Sequence, residues 1–135
     1  MQDNNNALNV IGLDVGDARI GVARANVVAK IPEPLAVINN DIEAPRHITK
    51  IINEQSASTV IIGLPLLASG DDSQQTKKVR DFAKKLSECC NAHQIFVDES
   101  HSSQEADLWL NQHKRSDNSY NDDIAACIIL ERYLS

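Results

Sequence analysis

Aromatic residues are scarce in this chain, 4% of its 135 residues, so a core has to be built from Ile, Leu, Val and Ala. Cysteine is scarce too: there are three, an odd number, with Cys89 and Cys90 adjacent. That excludes a disulfide framework and the usual zinc-ligand spacings, and points to a reducing compartment with inert thiols. Basic residues are outnumbered, 13 Lys and Arg against 19 Asp and Glu, for a net charge of -6. A protein that coats nucleic acid by bulk electrostatics is thereby excluded, while one with a local basic face is not. No apolar run approaches the roughly 20 residues of a membrane span. The Gln-Asp-Asn-Asn-Asn start carries no Lys or Arg, so a secretory leader is not expected and a cytoplasmic location is. Internal repeats and linkers are also absent. Residues 1–7 are expected to be disordered and residues 8–135 to form one compact domain.

What is present is organised around Val10-Ile11-Gly12-Leu13-Asp14-Val15-Gly16-Asp17-Ala18-Arg19-Ile20-Gly21-Val22-Ala23. Its apolar start reads as a buried strand. Asp14 stands where that strand runs out. Asp17 and the glycines suit a tight turn, and a second β-type run follows from Ile20 to Ala25. On this stretch alone Asp14 reads as an ordinary turn residue.

Pro32-Glu33-Pro34 breaks the pattern before a short third strand, Leu35 to Ile38. Short connections between these strands predict an antiparallel meander. Asp41 and Pro45 mark a helix start, and Ile48, Ile51 and Ile52 carry it to about Gln55. Thr59 to Leu64 is an apolar, β-branched run, the strongest buried strand in the chain. An amphipathic helix is predicted from Ser73 to about Asn91, with Val79, Phe82, Ala83, Leu86 and Cys90 on one face. Gln94 to Val97 is a further strand, ending in Asp98-Glu99. Ser102 with Glu105 fits a capping box for a helix carrying Ala106, Trp109, Leu110 and His113, and Lys114 to Asn121 reads as a loop. The last helix starts at Asp122 or Asp123 and runs to Tyr133; Ile124 to Leu130 is apolar nearly all round, so it is buried. The fold class is therefore α/β: a mixed five-stranded sheet, antiparallel in its first three strands and then built by parallel crossovers, with helices on its faces.

Three acids stand at comparable places in this plan: Asp14 ends the first strand, Glu99 ends the last, and Asp122 opens the buried helix. With the first strand central, the carboxyl ends of the parallel strands share one edge, where open α/β sheets bind ligands. Carboxylates gathered there repel one another, and a hard divalent cation, Mg²⁺ or Mn²⁺, relieves the repulsion. Two such ions about 4 Å apart activate a water and stabilise the leaving oxygen of a phosphodiester. The alternative is equally physical. Asp122 and Asp123 suit an N-cap and a first helical turn, and Glu99 a solvated loop. Spacing alone leaves both readings open. Asp98 and Asp123 are reserve acids for supporting roles.

The chain resembles the YqgF/RuvX-like family of bacterial RNase H-fold nucleases, described both as Holliday junction resolvases and as pre-16S rRNA nucleases. The resemblance spans roughly residues 9–134. It is carried by Gly12-Leu13-Asp14-Val15-Gly16 with Arg19-Ile20-Gly21-Val22-Ala23, Pro34-Leu35, Gly63-Leu64-Pro65-Leu66 with Gly70, Val79-Arg80-Asp81-Phe82-Ala83, Phe96-Val97-Asp98-Glu99, and Asp122 with Ile124-Ala125-Ala126 and Ile129-Leu130. It implies that Asp14, Glu99 and Asp122 are the catalytic, metal-binding carboxylates. Two departures stand out. The family follows the Asp-Glu pair with Arg, Leu and two Thr, where this chain has Ser100-His101-Ser102-Ser103. It continues Gly-Leu-Pro-Leu with Asn-Met-Asp-Gly, where this chain has Leu67-Ala68-Ser69-Gly70. His101 is a candidate partial substitute, as a phosphate contact or proton carrier, against the plainer reading of a surface His at a helix start.

For substrate contact the expected residues are Arg19, Lys77, Arg80, Lys84 and His101, on a basic face that also holds Lys78 and Lys85; a solvated helix face is the alternative for the lysines. The expected activity is metal-dependent hydrolysis of phosphodiesters, with the 5′ end of precursor 16S rRNA first and branched DNA second. A homodimer is expected only if the substrate is a junction, which needs paired sites. A nucleic-acid-binding homologue with weakened chemistry is the other class kept. An actin-like or sugar-kinase phosphate loop also has Asp-x-Gly before a β-turn-β, but that fold needs two lobes and this chain has room for one.

Overall fold

The computed structural model describes residues 8–99 and 122–135, apart from the side chain of Asp122. The elements in chain order are β1 (Asn9–Val15), β2 (Arg19–Asn26), β3 (Glu33–Asn39), α1 (Ala44–Glu54), β4 (Thr59–Leu64), α2 (Gln74–Cys89), β5 (His93–Asp98) and α3 (Asp122–Leu134). The strands form one sheet in the order β3-β2-β1-β4-β5. β1 is central: antiparallel to β2, with Asp14 opposite Gly21, and parallel to β4, with Leu13 opposite Ile62. β2 and β3 pair antiparallel and β4 and β5 parallel, so the expected mixed sheet is the one observed.

Strand alternation sorts the side chains into two layers. Ile11, Leu13, Val15, Val60, Ile62 and Leu64 pack with Ile48 and Ile52 of α1 and with Val79, Phe82 and Leu86 of α2. On the other face Val10, Ala23, Ala25 and Ile61 pack under Ile124, Ala126 and Ile128 to Leu130 of α3. Every residue of α3 from Ile124 to Leu130 is buried, as its all-round apolarity predicts.

The local chemistry explains the element ends. Pro45 lies in the first turn of α1, where a missing N–H costs nothing. Ser73 caps α2 by accepting from the Thr76 N–H at 3.1 Å, and the Thr76 hydroxyl accepts from the Ser73 N–H at 3.0 Å. The Thr76 hydroxyl also donates to the Pro65 carbonyl at 2.8 Å, tying the start of α2 to the loop after β4. One expectation needs correction. β3 begins at Glu33, not Leu35, and takes in Pro34. It is an edge strand, where a residue without N–H is tolerated, and the ladder with β2 shifts register at Val22/Ala23 to pass it. The expected helix over 102–113, the loop over 114–121 and the disorder of 1–7 lie outside the described residues.

Candidate active site

Asp14 is the sixth residue of β1, and alternation puts it on the face covered by α3, with Gly12 below it. The turn beyond it is held from two sides. Asn40 donates to the Gly16 carbonyl at 2.7 Å, and Gln75 of α2 to the Val15 carbonyl at 3.3 Å. Glu99 is the residue after β5, and its N–H donates to the Leu64 carbonyl at 3.0 Å, which extends the β4–β5 ladder by one step. Its side chain then lies across Gly63. A Cβ on Gly63 would stand 3.0 Å from the Glu99 carboxyl carbon and 3.1 Å from Oε2. Glycine at 63 therefore makes the cradle in which this carboxyl group sits.

Asp14 and Glu99 meet there and share a side-chain hydrogen bond. The Glu99 carboxyl is pushed up to about 8, first by burial, then by the charge of Asp14, then by the hydrogen bond to it. The Arg132 guanidinium pulls it back down in part, and Asp98 adds a smaller upward push. Two carboxyl groups in contact hold a proton between them; a hard cation with oxygen preference takes the proton's place. The donor set thus fits Mg²⁺ or Mn²⁺.

Among the described residues no group of three potential metal ligands gathers. The third expected carboxylate, Asp122, is the first residue of α3, and its side chain lies outside the described residues. Asp123 follows it, about one turn before Ala126, which with Leu130 closes over Gly12: a Cβ on Gly12 would stand 2.9 Å from the Ala126 carbonyl. Asp98 ends β5 beside Glu99.

The expected substrate contacts scatter more widely. Arg19 opens β2 at the same edge as Asp14 and is exposed. Lys77 and Lys84 are exposed on α2, which packs on the opposite face of the sheet. Lys78, next to Lys77, pairs with Asp17 of the β1–β2 turn at 3.3 Å, so this end of α2 lies near the edge, while Lys84 is about 10 Å further along the helix. Arg80 is engaged: its Nε donates to Asp72 at 2.8 Å, and its guanidinium sits 5.6 Å over the Phe96 ring. Ser100 and His101 lie outside the described residues. A cleft of about 880 Å³ opens beside the turn, between α1 and α2, but its three cations, Arg46, Lys78 and Lys85, face four acids. That balance does not make a phosphate trough.

Sequence reasoning missed Gly63 as the floor of the site, the clamps from Asn40 and Gln75, and the Arg132 charge beside Glu99. A signal existed for the glycine, which interrupts a β-branched run that otherwise has no reason to lose a side chain.

Against known families, residues 8–135 match RuvX, described as Holliday junction resolvase. The chain belongs to the RuvX family. Membership makes it a nuclease, a hydrolase of phosphodiester bonds. Within reach of this family, it is 36% identical over 130 residues to a protein of Fusobacterium nucleatum named "Putative pre-16S rRNA nuclease", covering 92% of this chain and 94% of that one. A protein of the same name from Francisella tularensis is 33% identical over 131 residues, covering 94% and 96%. Among solved structures, RuvC of T. thermophilus in complex with Holliday junction substrate superposes with a TM-score of 0.63 at 9% identity, over 94% of this chain and 93% of that one. The Fowlpox virus resolvase with Holliday junction DNA gives 0.57 at 15%, over 93% and 96%. At such identities the likeness is one of fold: the RNase H-like α/β architecture.

Proposed function

We propose that this RuvX-family nuclease hydrolyses phosphodiester bonds at the 5′ end of precursor 16S rRNA, with divalent metal help. The observation that carries the chemistry is the Asp14–Glu99 pair, brought into hydrogen-bond contact at the carboxyl edge of the central parallel strands. Asp14, Glu99 and Asp122 would hold Mg²⁺ or Mn²⁺, which when bound activate a water and stabilise the leaving 3′-oxygen. The chain's own contribution is rigidity. The clamped turn fixes Asp14, Gly63 seats Glu99, and α3 keeps water from beneath the pair. Arg19 and Lys77 are the first choices for phosphate contacts, with Arg80, Lys84 and His101 behind them. We take residues 8–135 as one nuclease domain working in the cytoplasm. In support, none of the three cysteines is in a disulfide, and among the described residues no helix is long and apolar enough to cross a membrane.

RNA is preferred because the relatives at 33–36% identity are named as pre-16S rRNA nucleases, whereas the junction-bound structures share only 9–15%. Cleavage of branched DNA is the second reading, favoured by the family's description, and it calls for a homodimer with paired sites. The test is cleavage of a 5′-extended 16S rRNA fragment and a four-way DNA junction, side by side, with Mg²⁺ or Mn²⁺. Cutting of the RNA that Asp14→Asn abolishes supports the proposal. Preference for the junction, with a dimer in sedimentation, moves it to the second reading. No cutting by folded protein reduces it to nucleic-acid binding without chemistry.

A further inference from the structure

Glu99 reaches Asp14 only by folding back across Gly63, and the peptide group joining Asp98 to Glu99 sets the direction from which it starts. Both polar atoms of that peptide are held. Its N–H donates to the Leu64 carbonyl, a continuation of the sheet ladder. Its carbonyl, that of Asp98, accepts from Nη1 of Arg132, which lies 34 positions away in the last turn of α3. Arg132 is half-buried, and its charge is felt at Glu99. At the end of an edge strand such as β5 the outward carbonyl ordinarily faces water. Here a guanidinium, a rigid fork of donors that is always charged, fixes that plane from the opposite side to β4. The helix that contributes Asp122 at its first residue thus contributes Arg132 near its last. Between them Ala126 lies over Gly12 and Ile129 over Gly63.

We propose that Arg132 is a positioning residue for the nuclease reaction: its guanidinium locks the Asp98–Glu99 peptide plane and so aims the Glu99 carboxyl group at Asp14. The inference rests on the reading of Asp14 and Glu99 as the catalytic pair. Groups that orient a metal-binding carboxylate without touching the metal are typically worth about 10–100-fold in metal affinity or rate.

The test compares the full-length wild type with Arg132→Met, which keeps an apolar stem, with Arg132→Gln, and with Arg132→Lys as the conservative rescue. Amide hydrogen exchange at Glu99 is read first, since it needs neither metal nor substrate. Mn²⁺ affinity by calorimetry follows, then kcat and KM on the preferred nucleic acid. Arg132→Met is expected to lose about tenfold in Glu99 amide protection while His93 to Val97 keep theirs. Mn²⁺ affinity should fall by about tenfold, and kcat should fall with KM unchanged, with Arg132→Lys recovering part of each. Wild-type exchange and Mn²⁺ affinity in a folded Arg132→Met overturn the proposal. So does a rise in KM at constant kcat, which makes Arg132 a nucleic-acid contact. If the methionine variant does not fold, Arg132→Gln decides on the same readings. Failure of the wild type itself to cut any nucleic acid removes the catalytic reading beneath the inference, an outcome distinct from an unchanged variant of an active enzyme.

Discussion

The two faces of the sheet are made of different materials. The face under α1 and α2 is lined by Ile, Leu, Val and Phe, and among its core residues none is charged. The face under α3 has small residues at the points of approach, Gly12, Gly63, Ala23 and Ala25, and carries Asp14 and Glu99 at its edge. Large side chains on the first face contribute burial, on the order of 1.5–3 kcal/mol each. Small ones on the second let α3 come close over Gly12 and Gly63, and Arg132 near its end reaches the Asp98 carbonyl before Glu99. The lesson is a division of labour across a single sheet. One layer supplies the stability that the other gives up in order to hold two acids in contact.

The sharpest way to break this comparison is in the first layer. Leu86→Ala removes a fully buried side chain and should cost about 2–5 kcal/mol of stability by denaturant titration, with kcat of the folded fraction unchanged. A loss of kcat at low temperature, where the variant is folded, would join the two layers that we have separated. In the second layer Gly63→Ala should do the reverse. The added methyl meets the Ile129 Cδ1 at 2.5 Å, a flexible end, and the Glu99 carboxyl carbon at 3.0 Å. Stability should fall by only about 1–2 kcal/mol, while cleavage falls at least about tenfold because Glu99 has to leave its cradle.

The acid pair gives the comparison a pH signature. The Glu99 carboxyl is raised in the folded protein from 4.5 to about 8, so between those values the folded chain binds more protons than the unfolded one. Stability is then full below the unfolded value and declines as pH rises through the folded one. Without divalent ions the wild type should lose stability from this group as pH rises from 5 to 8. Glu99→Gln should escape that loss and melt higher than the wild type at pH 8, although it cuts nothing. Mn²⁺ should narrow the gap by stabilising only the wild type. Parallel melting curves at both pH values would contradict the strain assigned to the pair. The smallest effect is expected at Lys77 and Lys84. Reversing both charges should weaken RNA binding and flatten its salt dependence by about one unit of slope, mostly through Lys77, which stands nearer the edge. An unchanged slope would remove this helix from the substrate path.

Much of the fold was legible in local pattern. The apolar run of β1 with an acid near its end, the β-branched run of β4 and the all-round apolarity of α3 each predicted their burial. The apolarity of β1 suggested its central place, which the strand order bears out. The boundary of β3 was misread because Pro34 is a strand breaker in general and harmless on an edge, and edge position is a property of the sheet. At the site, Asp14 and Glu99 were legible as acids at strand ends, but their hydrogen bond was not. Nor was the need for Gly63 beneath Glu99, 36 positions earlier in the chain.

The sequence by itself determined the elements and the mixed character of the sheet, and it marked two acids at strand ends, because period, capping and strand-end chemistry act over a few residues. The tertiary structure alone decided that Glu99 lies over Gly63, that Arg132 holds the peptide before it and that Arg80 is tied to Asp72. Those contacts depend on the distance between packed layers and on the crossing of α3 over the sheet, and no short stretch of sequence encodes either.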